Sequence, residues 1–381
     1  MDARPRVELL IFQTTPFCNI NCSYCYLPDR LSKERIPLAV VSMAAQRIVD
    51  AGWVGEKLSV VWHAGEPLTV GPEYLEQLIE ACSPLEQITR IQQCVQTNAL
   101  LINPRFCELF KGEKVRVGVS IDGPRDLHDR HRTTRGGKGT FDAVMRGIDK
   151  LREYGIDFSV ICVLTSHSLS RAEEIYDFFH KLGAKTVGFN VDEIEGINRS
   201  SSMDENGFFE RLSAFWGTML RTHFEHRAFQ LREADTLVDG IRYGKSGDSH
   251  NQQTNPFAIL TVAVNGSIGT FSPELLGQHD LRYGDFTIGD IYSHSQPQIA
   301  SNPRFLKMKA AIEEGVRRCS QQCSYFELCG GGAPSNKINE HGSFDVTETK
   351  YCRATKMVIV DSLLKVARPY QTSSIPYREK R

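Results

Sequence analysis

Thr15-Pro16-Phe17-Cys18-Asn19-Ile20-Asn21-Cys22-Ser23-Tyr24-Cys25-Tyr26 is the stretch on which the reading of this 381-residue chain turns. Its three cysteines fall at C-x3-C-x2-C spacing, just after an apolar run, 7–12, that reads as a strand, so the thiols sit on the loop leaving it. Such a loop can aim three thiolates at one centre. Soft thiolates select zinc or iron-sulfur clusters. Three ligands instead of four leave one metal corner open, and an open corner means chemistry rather than scaffolding. The plainer alternatives are a zinc site completed by a remote ligand and three ordinary buried cysteines; zinc sites usually employ paired C-x2-C units.

Outward from this loop, apolar runs alternate with amphipathic segments as far as about residue 190. Strands are expected at 7–13, 58–62, 88–96, 115–121, 158–164 and 186–191. Helices fit between them at 38–51, 72–81, 104–110, 141–154 and 171–182. Repeated βα units imply a parallel sheet with helices outside, and catalytic groups then lie on the loops that follow the strands. The cysteine loop follows the first strand. A long helix is expected at 205–227, where Phe208, Phe209, Leu212, Phe215, Trp216, Met219 and Leu220 form a stripe read as core. Polar, Gly-containing sequence at 239–253 reads as a linker, which places a boundary between 1–238 and 239–381. Beyond it, 258–264 and 267–271 flank Asn265-Gly266, a strong hairpin signal. A terminal helix at 353–367 precedes a polar tail at 370–381.

Apolar content of 41%, charged content of 24% and a net charge of -1 describe an ordinary globular protein with no field that advertises nucleic acid. No apolar run approaches membrane-spanning length, and the N-terminus lacks the core of a signal peptide, so a cytoplasmic location without a membrane partner is expected. Eleven cysteines are many for such a chain. Cys82, Cys94, Cys107 and Cys162 are isolated on apolar patterns and read as small buried hydrophobes. Cys319, Cys323, Cys329 and Cys352 form a second group, C-x3-C-x5-C and then a more distant cysteine. Four thiolates close a site, so this set suits a structural or electron-relaying cluster, or zinc. The glycines 330–332 behind Cys329 let backbone N–H groups approach cluster sulfurs.

The first cysteine motif with its flanking aromatics resembles the radical S-adenosylmethionine (SAM) superfamily. That resemblance implies a partial (β/α)6 TIM barrel, α/β in class, in which Cys18, Cys22 and Cys25 hold a 4Fe-4S cluster that binds SAM. Trp62-His63-Ala64-Gly65-Glu66-Pro67 resembles the family's Gly-Gly-Glu-Pro segment, with Ala64 in place of the first glycine. By that likeness Gly65 runs beside the SAM methionine and Glu66 receives its amino group. Gln96-Thr97-Asn98, Ser120-Ile121-Asp122-Gly123-Pro124 and the loop through Arg132 look like the barrel-end clusters of peptide-modifying members. Tyr24, Asn98, Ser120, Asp122 and Asn190 are then expected cofactor contacts, and Arg132 a partner for the SAM carboxylate. Asn190 and its neighbours Asp192 and Glu193 could instead meet substrate.

The second cysteine group resembles the SPASM extension of peptide maturases, which commonly houses two auxiliary clusters. Here Ala333 stands where another cysteine is expected, and the hairpin at 265–272 carries none, so one auxiliary 4Fe-4S cluster on Cys319, Cys323, Cys329 and Cys352 is the expectation. The Gln96-Thr97-Asn98, Ser120-Ile121-Asp122-Gly123-Pro124 and Phe271-Ser272-Pro273-Glu274-Leu275-Leu276-Gly277 segments look most like maturases of ribosomally made peptides, especially Grr-type enzymes, which build cyclophanes by joining an aromatic ring carbon to the β-carbon of a nearby residue. On this reading the substrate is a ribosomally made precursor peptide, the electron donor a one-electron reductant such as flavodoxin or ferredoxin, and the catalytic base Glu274 or Asp285. Formylglycine-forming sulfatase maturation, thioether formation and a non-catalytic iron-sulfur protein are the alternatives. With the first cysteine at residue 18, a leader-binding domain ahead of the barrel is not expected.

Overall fold

The computed structural model describes residues 6–243 and 251–371. Six parallel strands, β1 (Val7–Gln13), β2 (Val54–His63), β3 (Arg90–Thr97), β4 (Arg116–Ser120), β5 (Phe158–Leu164) and β6 (Thr186–Val191), lie side by side in chain order. Helices α1 (Leu38–Ala51), α2 (Pro72–Glu80), α3 (Pro104–Gly112), α4 (Phe141–Glu153) and α5 (Ala172–Leu182) connect them. In α1 the buried residues Val40, Val41, Ala44, Ala45 and Ile48 recur at helical spacing, and Gly52, left-handed at φ 64, ends it. These helix bounds fall within two residues of those expected; strand β2 begins four residues earlier than its apolar run.

Beyond β6, α6 (Phe208–His226) buries Phe208, Leu212, Phe215, Trp216, Met219 and Leu220 as core, whereas Phe209, expected in the same stripe, is only partly buried at its edge. A two-residue strand, β7 (Gln230–Leu231), then pairs with β6 at one edge of the sheet. The segment expected to begin a linker at 239 is instead the end of α7 (Arg232–Tyr243). The acidic residues Glu233 and Asp235 suit its first turn, and Ala234 and Leu237 continue a buried stripe that composition alone obscured. The rest of the linker reading falls partly on 244–250, outside the described residues, as does most of the tail.

At the opposite edge β8 (Ile259–Val262) pairs parallel with β1, Leu10 facing Leu260, and turns through Asn265-Gly266 into β9 (Ser267–Thr270), which pairs with β10 (Gly289–Asp290). The C-terminal part therefore continues the same sheet, ten strands wide, rather than standing apart from it. Its longest helices are α8 (Pro303–Gln322), α9 (Pro334–His341) and α10 (Val358–Gln371), the last packed on α6. No helix among the described residues is long and apolar enough to cross a membrane.

Candidate active site

The first site is built where β1, β2, β3 and β4 end. After β1 the chain runs through buried Thr14 and Thr15 into the cysteine loop, whose residues Ile20–Cys22 pair antiparallel with Arg132–Thr134. That pairing sets Arg132 opposite Cys22, with Nη1 3.9 Å from Cys22 Sγ. After β2, Gly65 packs on the cysteine loop so closely that a Cβ there would lie 2.4 Å from the carbonyl oxygens of Thr15 and Phe17. Its φ of 55 is also left-handed, so glycine answers two demands at once. Ala64 holds a left-handed φ of 69, the strain introduced by an alanine where glycine would be relaxed.

Glu66 is 1% exposed. Its carboxylate accepts from Leu68 N at 3.0 Å, Thr97 Oγ1 at 2.6 Å and Asn98 N at 2.7 Å, tying the end of β2 to the end of β3. Burial pushes it up to about 7 against these three donors. A carboxylate offers about four acceptor positions, so one is left for an ammonium. Asn98 donates to Asn19 Oδ1 at 2.7 Å, with Cys18 Sγ 3.9 Å away. Ser120 Oγ accepts from Gln96 Nε2 at 2.9 Å. Asp122 accepts from Arg132 Nε at 2.9 Å, from the Tyr24 hydroxyl and from Val163 N at 3.0 Å. Burial alone would raise the Asp122 carboxyl, but the Arg132 guanidinium outweighs it and holds the group below its usual range. Arg132, expected to meet a cofactor carboxylate, thus has its Nε committed to Asp122, and its Nη1 turned toward a cysteine. Asn190 Oδ1 accepts from Arg232 Nη2 at 2.9 Å.

Together these groups line a cavity of about 190 Å3 containing Cys18, Cys22, Cys25, Tyr24, Gly65 and Glu66, bordered on the far side by Asn190 and Glu193. Burial raises the thiols of Cys18 and Cys22 to about 11 and about 12, so without a metal they stay protonated. Among the described residues no three His, Cys, Asp or Glu side chains close to single-ion distance. The three cysteines line one cavity, and the Arg132 and Asn98 donors beside their sulfurs suit thiolate ligands.

The second cysteine set surrounds a cavity of about 400 Å3 lined by Cys319, Cys323, Cys329 and Cys352. Cys319 lies in the last turn of α8, and Cys323 caps it, its N–H donating to Cys319 O. Cys329 is followed by three glycines, all left-handed, that turn the chain into α9. Lys337, 3% exposed, brings Nζ to 3.6 Å from Cys319 Sγ. A buried ammonium beside a thiol calls for negative charge there, which a thiolate cluster would supply.

The two candidate bases separate. Glu274, on the turn Pro273–Leu275, is pushed up to about 7 by burial and lies within electrostatic reach of Tyr26, Glu193 and Glu195 at the barrel mouth. Asp285 is half-exposed, paired with Arg304 at 2.8 Å and hydrogen-bonded to Thr287; neither it nor Glu274 lines the cavity itself, and Glu274 is set apart by its burial and its acidic neighbours. Glu195, Lys337, Asn336 and Tyr351 were not legible as site residues, because only the fold brings β6, α9 and the last cysteine together.

The family model of the Radical SAM superfamily matches residues 12–195. An uncharacterized protein of Synechocystis sp., sll1766, is 40% identical over 355 residues, covering 91% of this chain and 88% of that one. The cysteine-type anaerobic sulfatase-maturating enzyme of Clostridium perfringens (strain 13) is 24% identical over 367 residues, 92% of this chain and 95% of the relative. The solved structure of native anSMEcpe with bound AdoMet and Kp18Cys peptide superposes with a TM-score of 0.77 at 21% identity, covering 96% and 98% of the two chains. The fold is therefore the radical SAM partial barrel with a C-terminal domain like that of anSMEcpe. With the family model matching its barrel and a relative 40% identical along nearly its whole length, this chain belongs to the radical SAM superfamily of enzymes.

Proposed function

We propose that the chain is a peptide maturase. The carrying observation is the cavity in which Cys18, Cys22, Cys25, Gly65, Glu66 and Arg132 converge, with its far wall at Asn190 and Glu193 facing the C-terminal part. Cys18, Cys22 and Cys25 would hold a 4Fe-4S cluster there, which with SAM would supply radical chemistry able to take hydrogen from an unactivated carbon. The protein's own contribution is positional. Glu66 offers an acceptor to the SAM ammonium, Asp122 and Tyr24 hold Arg132 beside Cys22, and the buried walls keep water and stray hydrogen donors away. Cys319, Cys323, Cys329 and Cys352 would hold one auxiliary 4Fe-4S cluster, able to pass on the electron released when the product forms. The first electron would come from a flavodoxin or ferredoxin.

For the finer chemistry we favour crosslinking of an aromatic ring to the β-carbon of a nearby residue in a precursor peptide. The support is local: the hairpin beside the barrel has no cysteine, and Glu274 stands there with Oε2 unpartnered and able to accept the ring proton. Formylglycine formation is the second reading, and the names of the curated relatives support it more directly.

The deciding experiment uses anaerobically reconstituted enzyme, SAM, reductant and short peptides encoded near its gene. Crosslinking removes two hydrogens and leaves a stretch that tandem mass spectrometry cannot fragment; formylglycine gives an aldehyde that a hydrazide captures. SAM cleavage with every peptide unchanged would overturn the maturase reading, and no SAM cleavage at all would favour the non-catalytic alternative.

A further inference from the structure

Between the two cysteine sites lies a group of acids that the chemistry above leaves mostly unused. Glu193 lines the catalytic cavity. Glu195, 1% exposed, leaves Oε1 without a partner, and Glu274 leaves Oε2 without one. Glu193 and Glu195 hydrogen-bond to each other, and the charge of Glu274 reaches both.

The loop that carries two of them is held rigidly against the catalytic cysteine loop. Ile197 N donates to Tyr26 O at 3.1 Å, and Asn198 Nδ2 donates to Glu193 O at 2.6 Å. Gly196, at φ 55, brings its backbone so near that a Cβ would lie 2.3 Å from Tyr26 O. From the other side, α9 supplies Asn336 as a donor to Glu193 and Ser335 as a partner for Glu195.

The surrounding groups do not neutralise this charge. Tyr26, Tyr351 and Glu340 face it and bring no cation. Arg232 is near Tyr351 but is held by Glu233 at 2.5 Å and by Asn190 and Phe189 O, each at 2.9 Å. Lys337 on α9 is directed at Cys319. Like charges buried without a counter-charge must hold protons or take up a cation, and burial and mutual repulsion do raise Glu193 and Glu195 above the usual carboxylate range. A bare metal ion is disfavoured, since no three such donors close to ion distance among the described residues. A planar guanidinium, with five donors spread over a wide fork, can serve separated carboxylates.

We propose that Glu193, Glu195 and Glu274 form a subsite for a cationic side chain, a guanidinium or ammonium, carried by the peptide near the residue that is modified. The inference rests on the maturase reading for its peptide, but its test does not. The probe is n-propylguanidinium, titrated by calorimetry into reconstituted, SAM-loaded enzyme beside the neutral n-propylurea.

Propylguanidinium should bind and propylurea should not. Because the cation displaces protons, its affinity should rise roughly tenfold between about pH 6 and about pH 8, with proton release visible in buffers of different ionisation enthalpy. Glu195→Gln should abolish binding while cleaving SAM at the wild-type rate, and Glu274→Gln should weaken binding independently. Equal binding of the urea, no binding of either probe, or unchanged affinity in both variants would overturn the subsite. Probe binding with no peptide ever modified would leave the subsite standing and remove the maturase reading. Equal modification of paired peptides carrying arginine or citrulline would remove the subsite alone.

Discussion

Arg132 Nε stands 2.9 Å from Asp122 Oδ2 in an ion pair almost closed to solvent, at 8% and 3% side-chain exposure, and the same guanidinium faces Cys22. The pair joins the loop after β4 to the catalytic cysteine loop. Asp122→Asn leaves the guanidinium buried and unpaired, which should cost about 3–5 kcal/mol in chemical unfolding. Because the folded Asp122 carboxyl lies below its unfolded value of about 4, its stabilisation is present above that pH and is lost as the pH falls through the folded value. Wild-type melting temperature should therefore drop more steeply in acid than that of Asp122→Asn. Parallel acid profiles would show that another group controls acid lability.

The turn after β2 makes opposite forecasts for adjacent residues. Gly65→Ala places a methyl 2.4 Å from two carbonyl oxygens of the cysteine loop at a left-handed φ. The loop must move, so the variant should lose iron and its absorbance in the cluster region after reconstitution. Ala64→Gly relieves a left-handed alanine at φ 69 and should raise stability by about 0.5–1 kcal/mol with iron unchanged. Full iron retention in Gly65→Ala would refute the close-approach argument.

The barrel was readable because its strands are short runs rich in β-branched and apolar residues: 158–164 and 186–191 match β5 and β6 residue for residue. The two cysteine sets were readable because thiol spacing is local. What the spacing could not reveal is contact between distant segments. Nothing near Ile259 announces that β8 will lie beside β1, so the sheet's continuation into the C-terminal part was missed. Glu195 is an ordinary acid in sequence, and only the approach of α9 and the turn at Pro273–Leu275 makes it one of three. Lys337 likewise reads as an exposed lysine on a polar helix until α9 turns it toward Cys319.

Glu274 tests the crosslinking chemistry. As a base it must be ionised, and burial raises it to about 7, so product formation should climb with pH through that value and level off above it. Glu274→Gln should slow product formation by roughly 100-fold or more and flatten the pH profile, while 5′-deoxyadenosine continues to accumulate. Unchanged product formation in this variant would remove Glu274 from the mechanism. Asp285→Asn, which breaks only a half-exposed pair with Arg304, should change neither rate nor profile.

Lys337 allows the second cysteine set to be tested apart from the first. Its ammonium is buried 3.6 Å from Cys319 Sγ, where it favours the more negative, reduced form of any cluster held there. Lys337→Met conserves most of the side-chain volume and removes the charge. Iron should remain near the wild-type count, about eight per chain if each set holds a 4Fe-4S cluster, and about four when Cys18, Cys22 and Cys25 are all replaced by alanine. The reduction potential of the second cluster should shift downward in Lys337→Met, while that of the first stays in place, as read by potentiometric titration with electron paramagnetic resonance. Zinc in place of iron in the triple alanine variant would mean that the second set is a structural zinc site, and a potential indifferent to Lys337 would mean that its charge is screened from the cluster.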